Sequence, residues 1–337
     1  MNLRLLLARK RSEDSGGEKK EYRREITAPV LVIAVLLLLI LSSYIDTRLT
    51  REKENLAVKL LKMLIFLPPS VVYLYLTGRS LSGLRIRPFG IGHLFLMLSA
   101  LIAVSSSSML LDFSCAGYPS LSDSYGLYGI FVSKSDGSVG DGLYLILAYA
   151  VLPAFCEEFL FRAVLCAEYE KRSTVAAILL PSLFFAMLHL DPAHFPALFV
   201  SGVILSLTLY STRSVFAPFA VHLCCNLISL FGRPLLRTLF DLGGERLFTV
   251  ILTALWLLSG FIFCAEAARL YRGYSDRNLD SSYRDMRPAY EKPSGKTAFS
   301  VAGMFSYKHP RLTATLTAVF SPTALAVYVI YAAAVLF

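Results

Sequence analysis

The chain has 337 residues, 55% of them apolar, with a mean hydropathy of +0.59 and a formal net charge of +9. Several stretches of roughly 20 residues are nearly free of charge, which excludes an ordinary soluble fold and points to a multi-span helical membrane protein. A secreted disulfide framework is also excluded: Cys156, Cys166, Cys224, Cys225 and Cys264 fall in or beside apolar runs and read as small core residues, leaving Cys115 in a polar loop.

The N-terminus carries Arg4, Arg9, Lys10, Arg11, Lys19, Lys20, Arg23 and Arg24 ahead of an apolar run from Ala28 to Ile45. A signal-peptide core is typically about 7 to 15 residues, so this longer run is expected to stay as the first helix. Further helices are expected near 59–77, 91–111, 142–168, 174–190, 196–212, 215–231, 247–270 and 312–337, giving an all-α polytopic membrane protein of about eight or nine transmembrane helices. With the N-terminus in the cytoplasm, the inside segments hold about 23 Lys and Arg and the outside ones about 8; Lys62 and Arg162 lie within spans. Topology and anionic lipid therefore account for the positive charge, and nucleic-acid binding is not needed.

Two long loops interrupt the spans. Residues 112–141 are rich in Ser, Gly, Tyr and Asp with only Lys134 basic, which suits an extracytoplasmic loop. Residues 271–311 are polar, charged and Pro-containing, and are expected to form a partly disordered cytoplasmic linker before a last, peripheral helix. The chain divides accordingly into a basic tail (1–27), N-terminal helices with the outer loop (28–141), a core (142–235) and C-terminal helices with the linker (236–337).

The stretch FCEEFLFRAVL, residues 155–165, puts Glu157, Glu158 and Arg162 inside a span. Each charge at a helix centre costs roughly 2.5 to 3.5 kcal/mol on insertion scales, so the cluster calls for a reason. Glu158 and Arg162 are spaced i, i+4 and can neutralise each other, which by itself is helix glue. Glu157 is turned about 100° away and must look to another helix or to water. The turn EYEKRST (168–174) joins two spans as a hairpin, and with its apex near Ser173, Glu157 and His189 lie equally far from it. Phe185, one turn before His189, can pack under the imidazole.

VHLCCN, residues 221–226, adds His222 and Asn226 at i, i+4, so both side chains project from one helix face. Separately, each of these groups is explained by polar bonding between membrane helices. Together they match water-mediated amide hydrolysis: a carboxylate takes a proton from water with a histidine orienting it, and two donors stabilise the oxyanion.

These residues resemble the CAAX prenyl protease and bacteriocin-processing family of intramembrane proteases, which includes the type II CAAX endopeptidases. The match rests on Glu-Glu-x-x-x-Arg (Glu157, Glu158, Arg162), Phe-x-x-x-His (Phe185, His189, with Ser182 as the upstream serine) and His-x-x-x-Asn (His222, Asn226), in order within about 75 residues. Ala163 stands where the family commonly has glycine, and Val221 where a small residue commonly precedes the second histidine, so the difference falls on pocket shape. The resemblance implies a conical cavity in the core bundle and a glutamic-type protease. In it, Glu157 and His189 would activate water, His222 and Asn226 would hold the oxyanion, and Glu158, Arg162 and Phe185 would be supporting residues. The expected partners are a peptide or protein substrate and the bilayer; the motif style suggests a bacterial plasma membrane.

Two rival readings stay open. Glu157, His189 and His222 are enough donors for a catalytic zinc ion, although no His-Glu-x-x-His helix is present. A non-catalytic scaffold or transport module would use the same polar groups as glue or pathway. Cysteine catalysis through Cys156 or Cys225 is disfavoured, because a thiol buried in hydrocarbon yields little thiolate.

Overall fold

A computed structural model describes residues 27–49, 65–77, 81–123, 126–135, 137–276 and 310–336. Helices α1 (Thr27–Leu49) and α2 (Leu67–Thr77) precede α3 (Leu94–Ala116) and a short α4 (Gly126–Lys134). A continuous helical run, α5, covers 139–169; α6 (Thr174–Leu188), α7 (Phe195–Thr212), α8 (Phe216–Phe231) and α9 (Arg233–Asp276) follow, and α10 (Pro310–Val319) and α11 (Pro322–Leu336) close the chain. No strand occurs among the described residues.

Among the described residues, four helices are long and apolar enough to cross a membrane: Ile91–Ala116, Gly142–Tyr169, Phe195–Thr212 and Arg233–Leu270. Ala28–Ser42, Thr174–Leu188, Phe216–Phe231 and Pro322–Leu336 are apolar but shorter. At 1.5 Å per residue, the 15 residues of α6 rise about 22 Å, less than the roughly 30 Å of hydrocarbon, so the ends of α6 stand near a polar boundary.

Several expected boundaries change. The stretch 112–141 is not a plain loop: α3 runs on to Ala116, a 3-10 turn occupies Tyr118–Leu121, and α4 and the start of α5 fill most of the rest. Apolar residues scattered through it have a place to bury, since Leu127, Ile130 and Phe131 pack against Leu145, Tyr149 and Leu230. The helix expected at 247–270 begins at Arg233 and breaks at Gly244, whose φ of 63° suits glycine's freedom in the left-handed region. The helix expected at 312–337 divides at Ser321, just before Pro322. Nor is this last pair peripheral: Val327 shares a core with Leu36, Phe161 and Phe184, and Thr315 donates to Ser173 at 3.2 Å. The basic tail, residues 51–64 including Lys62, and most of the 271–311 linker lie outside the described residues.

Packing fixes the central hairpin. Ser173 caps α6 by accepting the Val175 amide at 3.2 Å. Inside α6, Pro181 has no amide to give the Ala177 carbonyl, and the Cys166 thiol of α5 fills that role at 3.1 Å. Where α6 crosses α7, Gly202 lets the backbones close in: a Cβ there would lie 2.9 Å from the Ser182 Cβ. On the same side as Ser173, Arg85 pairs with Glu170 at 2.6 Å and stacks 4.6 Å from the Tyr210 ring, tying 81–90 to the hairpin turn.

Candidate active site

The site is built on α5, which is not a uniform α-helix. Pro153 cannot donate an amide to the preceding turn, and the helix widens there into a π turn, Leu147–Val151. A second π turn, Phe159–Leu165, follows the two glutamates and carries Arg162. Such bulges re-aim side chains relative to a regular helix and recur at functional sites.

Glu158 and Arg162 meet at 2.9 Å, both almost wholly buried. The arginine's other terminal nitrogen donates to the Gly202 carbonyl at 3.1 Å, and its guanidinium lies 4.7 Å over the Phe185 ring. Phe185 is the hub of the site. Its ring sits edge-on to Phe161 at 5.3 Å, to His189 at 4.9 Å and to His222 at 5.8 Å. One aromatic side chain therefore sets the positions of both imidazoles and of the ion pair.

The structure brings Glu157, His189 and His222 together. Glu157 Oε2 lies 3.9 Å from His189 Nε2 and 3.9 Å from His222 Nε2. Among the described residues it has no hydrogen-bond partner, a condition shared with Glu158 Oε2 and Arg162 Nε. The far nitrogen of each imidazole is committed. His189 Nδ1 lies 2.7 Å from the Phe185 carbonyl, which only accepts, so Nδ1 carries the proton and a neutral His189 presents the Nε2 lone pair to Glu157. His222 Nδ1 lies 2.9 Å from Glu158 Oε1, the oxygen that also accepts from Arg162. The two adjacent glutamates thus divide the work: Glu158 is tied into an ion pair and a histidine, and Glu157 is not.

Asn226 stands one turn beyond His222 and donates to the Ala150 carbonyl, in the first π turn of α5, at 3.3 Å. One of its two amide hydrogens is thereby used. Ser182 lies behind this layer, donating to the Ile178 carbonyl at 2.6 Å and 3.4 Å from the Ser206 hydroxyl. Sequence reasoning missed Gly202, Ala150 and the Phe185 carbonyl as partners, and a backbone carbonyl leaves no signal in the residue type that bears it.

Among the described residues, no three His, Cys, Asp or Glu side chains form a group able to hold a metal ion. As placed, Glu157, His189 and His222 do not form such a group. A cavity of about 70 Å³ opens beside Cys225 and Ser229, lined also by Ser105, Ser108, Asp112 and Arg233. At the turn after α6, burial acts to raise the Asp191 carboxyl, but hydrogen bonds from the His194 ring and the amides of His194 and Ala193 outweigh it and hold the group below its ordinary value.

Residues 140–228 match the family model described as Type II CAAX prenyl endopeptidase Rce1-like. Comparison with curated proteins and with solved structures gave no match. The matched segment contains all three motifs and the π-turned α5 helix that displays the first of them. Residues 140–228 of this integral membrane chain are thus similar to the CAAX-type family of proteases.

Proposed function

We propose that the protein is an intramembrane endopeptidase that hydrolyses a peptide bond with water activated by Glu157 and His189, residues 142–235 forming its catalytic core. One observation carries this reading: a buried carboxylate oxygen of Glu157 is faced at 3.9 Å by Nε2 of His189 and by Nε2 of His222, within the protease-family segment. A water about 2.8 Å from both Glu157 Oε2 and His189 Nε2 fits that separation. Both groups are acceptors, so such a water donates both its hydrogens and turns its lone pairs outward.

The chemistry follows from these positions. As the water oxygen bonds to the scissile carbonyl carbon, Glu157 takes its proton and the carbonyl oxygen becomes an oxyanion. His222, with Nδ1–H on Glu158, donates to that oxyanion when a second proton occupies Nε2, and the Glu158–Arg162 pair is placed to support the imidazolium. The second amide hydrogen of Asn226 supplies another donor; losing one such donor typically costs about 2.7 to 4 kcal/mol of transition-state stabilisation. Collapse of the intermediate breaks the C–N bond, and the proton held by Glu157 goes to the leaving amine.

The bundle of about eight or nine spans would sit in a bacterial plasma membrane with the basic N-terminus in the cytoplasm, a reading supported by the distribution of Lys and Arg. Its substrate would be a peptide or protein reaching the membrane. The test compares, by mass spectrometry, peptides released from membranes holding the wild-type chain and Glu157→Gln. Cleavage products are expected only with the wild type, and their ends report whether the substrate is prenylated. Undiminished cleavage by Glu157→Gln would reject the base assignment. Full rescue of the biological role by Glu157→Ala/His222→Ala would favour a scaffold.

A further inference from the structure

The cavity of about 70 Å³ lies between α3, α8 and α9, and its wall sets polar side chains among apolar ones such as Val104, Leu121, Ile228 and Phe248. Ser105, Ser108, Ser120, Ser229, Asp112 and Arg233 all face it. Empty cavities in proteins are apolar, whereas roomy polar ones hold ordered water with two to four partners each. Its position matters as much. His222, Asn226, Ser229 and Arg233 recur at i, i+4, i+7 and i+11, within about 60° of one helical face. The helical backbone of Gly232 (φ −80°, ψ −10°) carries that face from α8 into α9. The cavity thus begins one turn beyond Asn226, on the face that presents His222 to Glu157.

A line of polar groups leads from the other side. Asp191, part-exposed in the turn after α6, bonds His194 at 2.6 Å; His194 Nε2 stands 3.7 Å from Asp112, which lines the cavity. Ser108 bonds Ser201 of α7 at 3.2 Å, and Ser229 is exposed. Tying the 189–194 turn to α3 explains Asp112 and His194, but it does not explain Ser229 on the facing wall.

We infer that this cavity is a water-holding chamber through which water reaches Glu157 from the end of the bundle that carries residues 117–121 and 189–194. The chamber stands on its lining and placement; its role in supplying hydrolytic water rests on the proposed function. Each turnover consumes one water molecule, and a site enclosed by apolar helices needs a polar route for it.

The test is hydroxyl-radical labelling by X-ray radiolysis of the full chain in lipid nanodiscs, where side chains are oxidised beside water. Cys225 and Met109 line the cavity, and Cys166 and Met187 are buried controls. Cys224, adjacent to Cys225 but exposed on the outer face of α8, is the lipid-side control. Cys225 and Met109 are expected to label several-fold faster than Cys166 and Met187, and Cys225 faster than Cys224. Equal rates would overturn the chamber. Ser229→Leu is expected to suppress that labelling and lower kcat several-fold with KM unchanged, while Ser229→Thr keeps both. Ser105→Val, on the opposite wall, repeats the test should Ser229→Leu fail to fold. Labelling lost with kcat undiminished would overturn the supply role. A wild-type chain without peptidase activity would reject the hydrolytic reading, and the labelling would still decide the chamber.

Discussion

Glu157 and Glu158 are neighbours in the chain, both buried and chemically identical, yet their amide variants should behave in opposite ways. Glu158→Gln removes the charge that Arg162 and His222 share at 2.9 Å each. Breaking one side of a buried ion pair typically costs about 3 to 5 kcal/mol, because the other charge stays buried and uncompensated. Arg162 keeps its bond to the Gly202 carbonyl and its place over Phe185, so the lower end applies: about 3 kcal/mol, roughly a hundredfold in the folding equilibrium. Among the described residues, Glu157→Gln breaks no hydrogen bond or close ion pair, since the two imidazole Nε2 atoms that face it stand at 3.9 Å. Its stability should stay within about 1 kcal/mol of wild type while cleavage is lost. Reversible unfolding in mixed micelles titrated with a denaturing detergent reads the stabilities, and peptide release reads activity. Equal destabilisation by the two variants, or a Glu158→Gln cost below about 1 kcal/mol, would refute the division of roles.

Gly202→Ala places a methyl 2.9 Å from the Ser182 Cβ and 3.0 Å from its Cα, and overpacking of that kind costs about 1 to 3 kcal/mol; the same unfolding assay should show it, with Ser182→Gly restoring part of the loss. Cys166→Ala leaves the Ala177 carbonyl without the donor that stands in for Pro181, so a loss of about 1 kcal/mol is expected, whereas Cys166→Ser should hold stability through its hydroxyl. Activity of the purified protein should survive prolonged dialysis against a chelator; loss that zinc restores would displace metal-free water activation by a metal mechanism.

The sequence is most informative where its physics is local. Hydropathy located the helical runs because covering apolar side chains and pairing backbone groups in lipid leaves the helix as the economical solution for most stretches. The i, i+4 spacing of Glu158 and Arg162 and of His222 and Asn226, and the equal distances of Glu157 and His189 from Ser173, follow from helix geometry, and the structure keeps Glu158 beside Arg162 and Glu157 near His189. Composition failed at 112–141, where Ser, Gly and Asp suggested a loop. Sparse apolar residues in α4 suffice once Leu145, Tyr149 and Leu230 offer a surface to bury them.

What only the tertiary structure decided is which polar atom meets which. Two π turns re-aim α5, so that Glu158 takes His222 Nδ1 while Glu157 faces two Nε2 atoms, although both glutamates occupy the same apolar stretch. Gly202 reaches Arg162 and Ala150 reaches Asn226 through carbonyl oxygens that every residue possesses. Helix periodicity and hydropathy are properties of neighbouring side chains and can be read along the chain. The partner of a backbone oxygen depends on how closely two helices approach and where a proline or π turn leaves that oxygen open, and that is settled only when the helices pack.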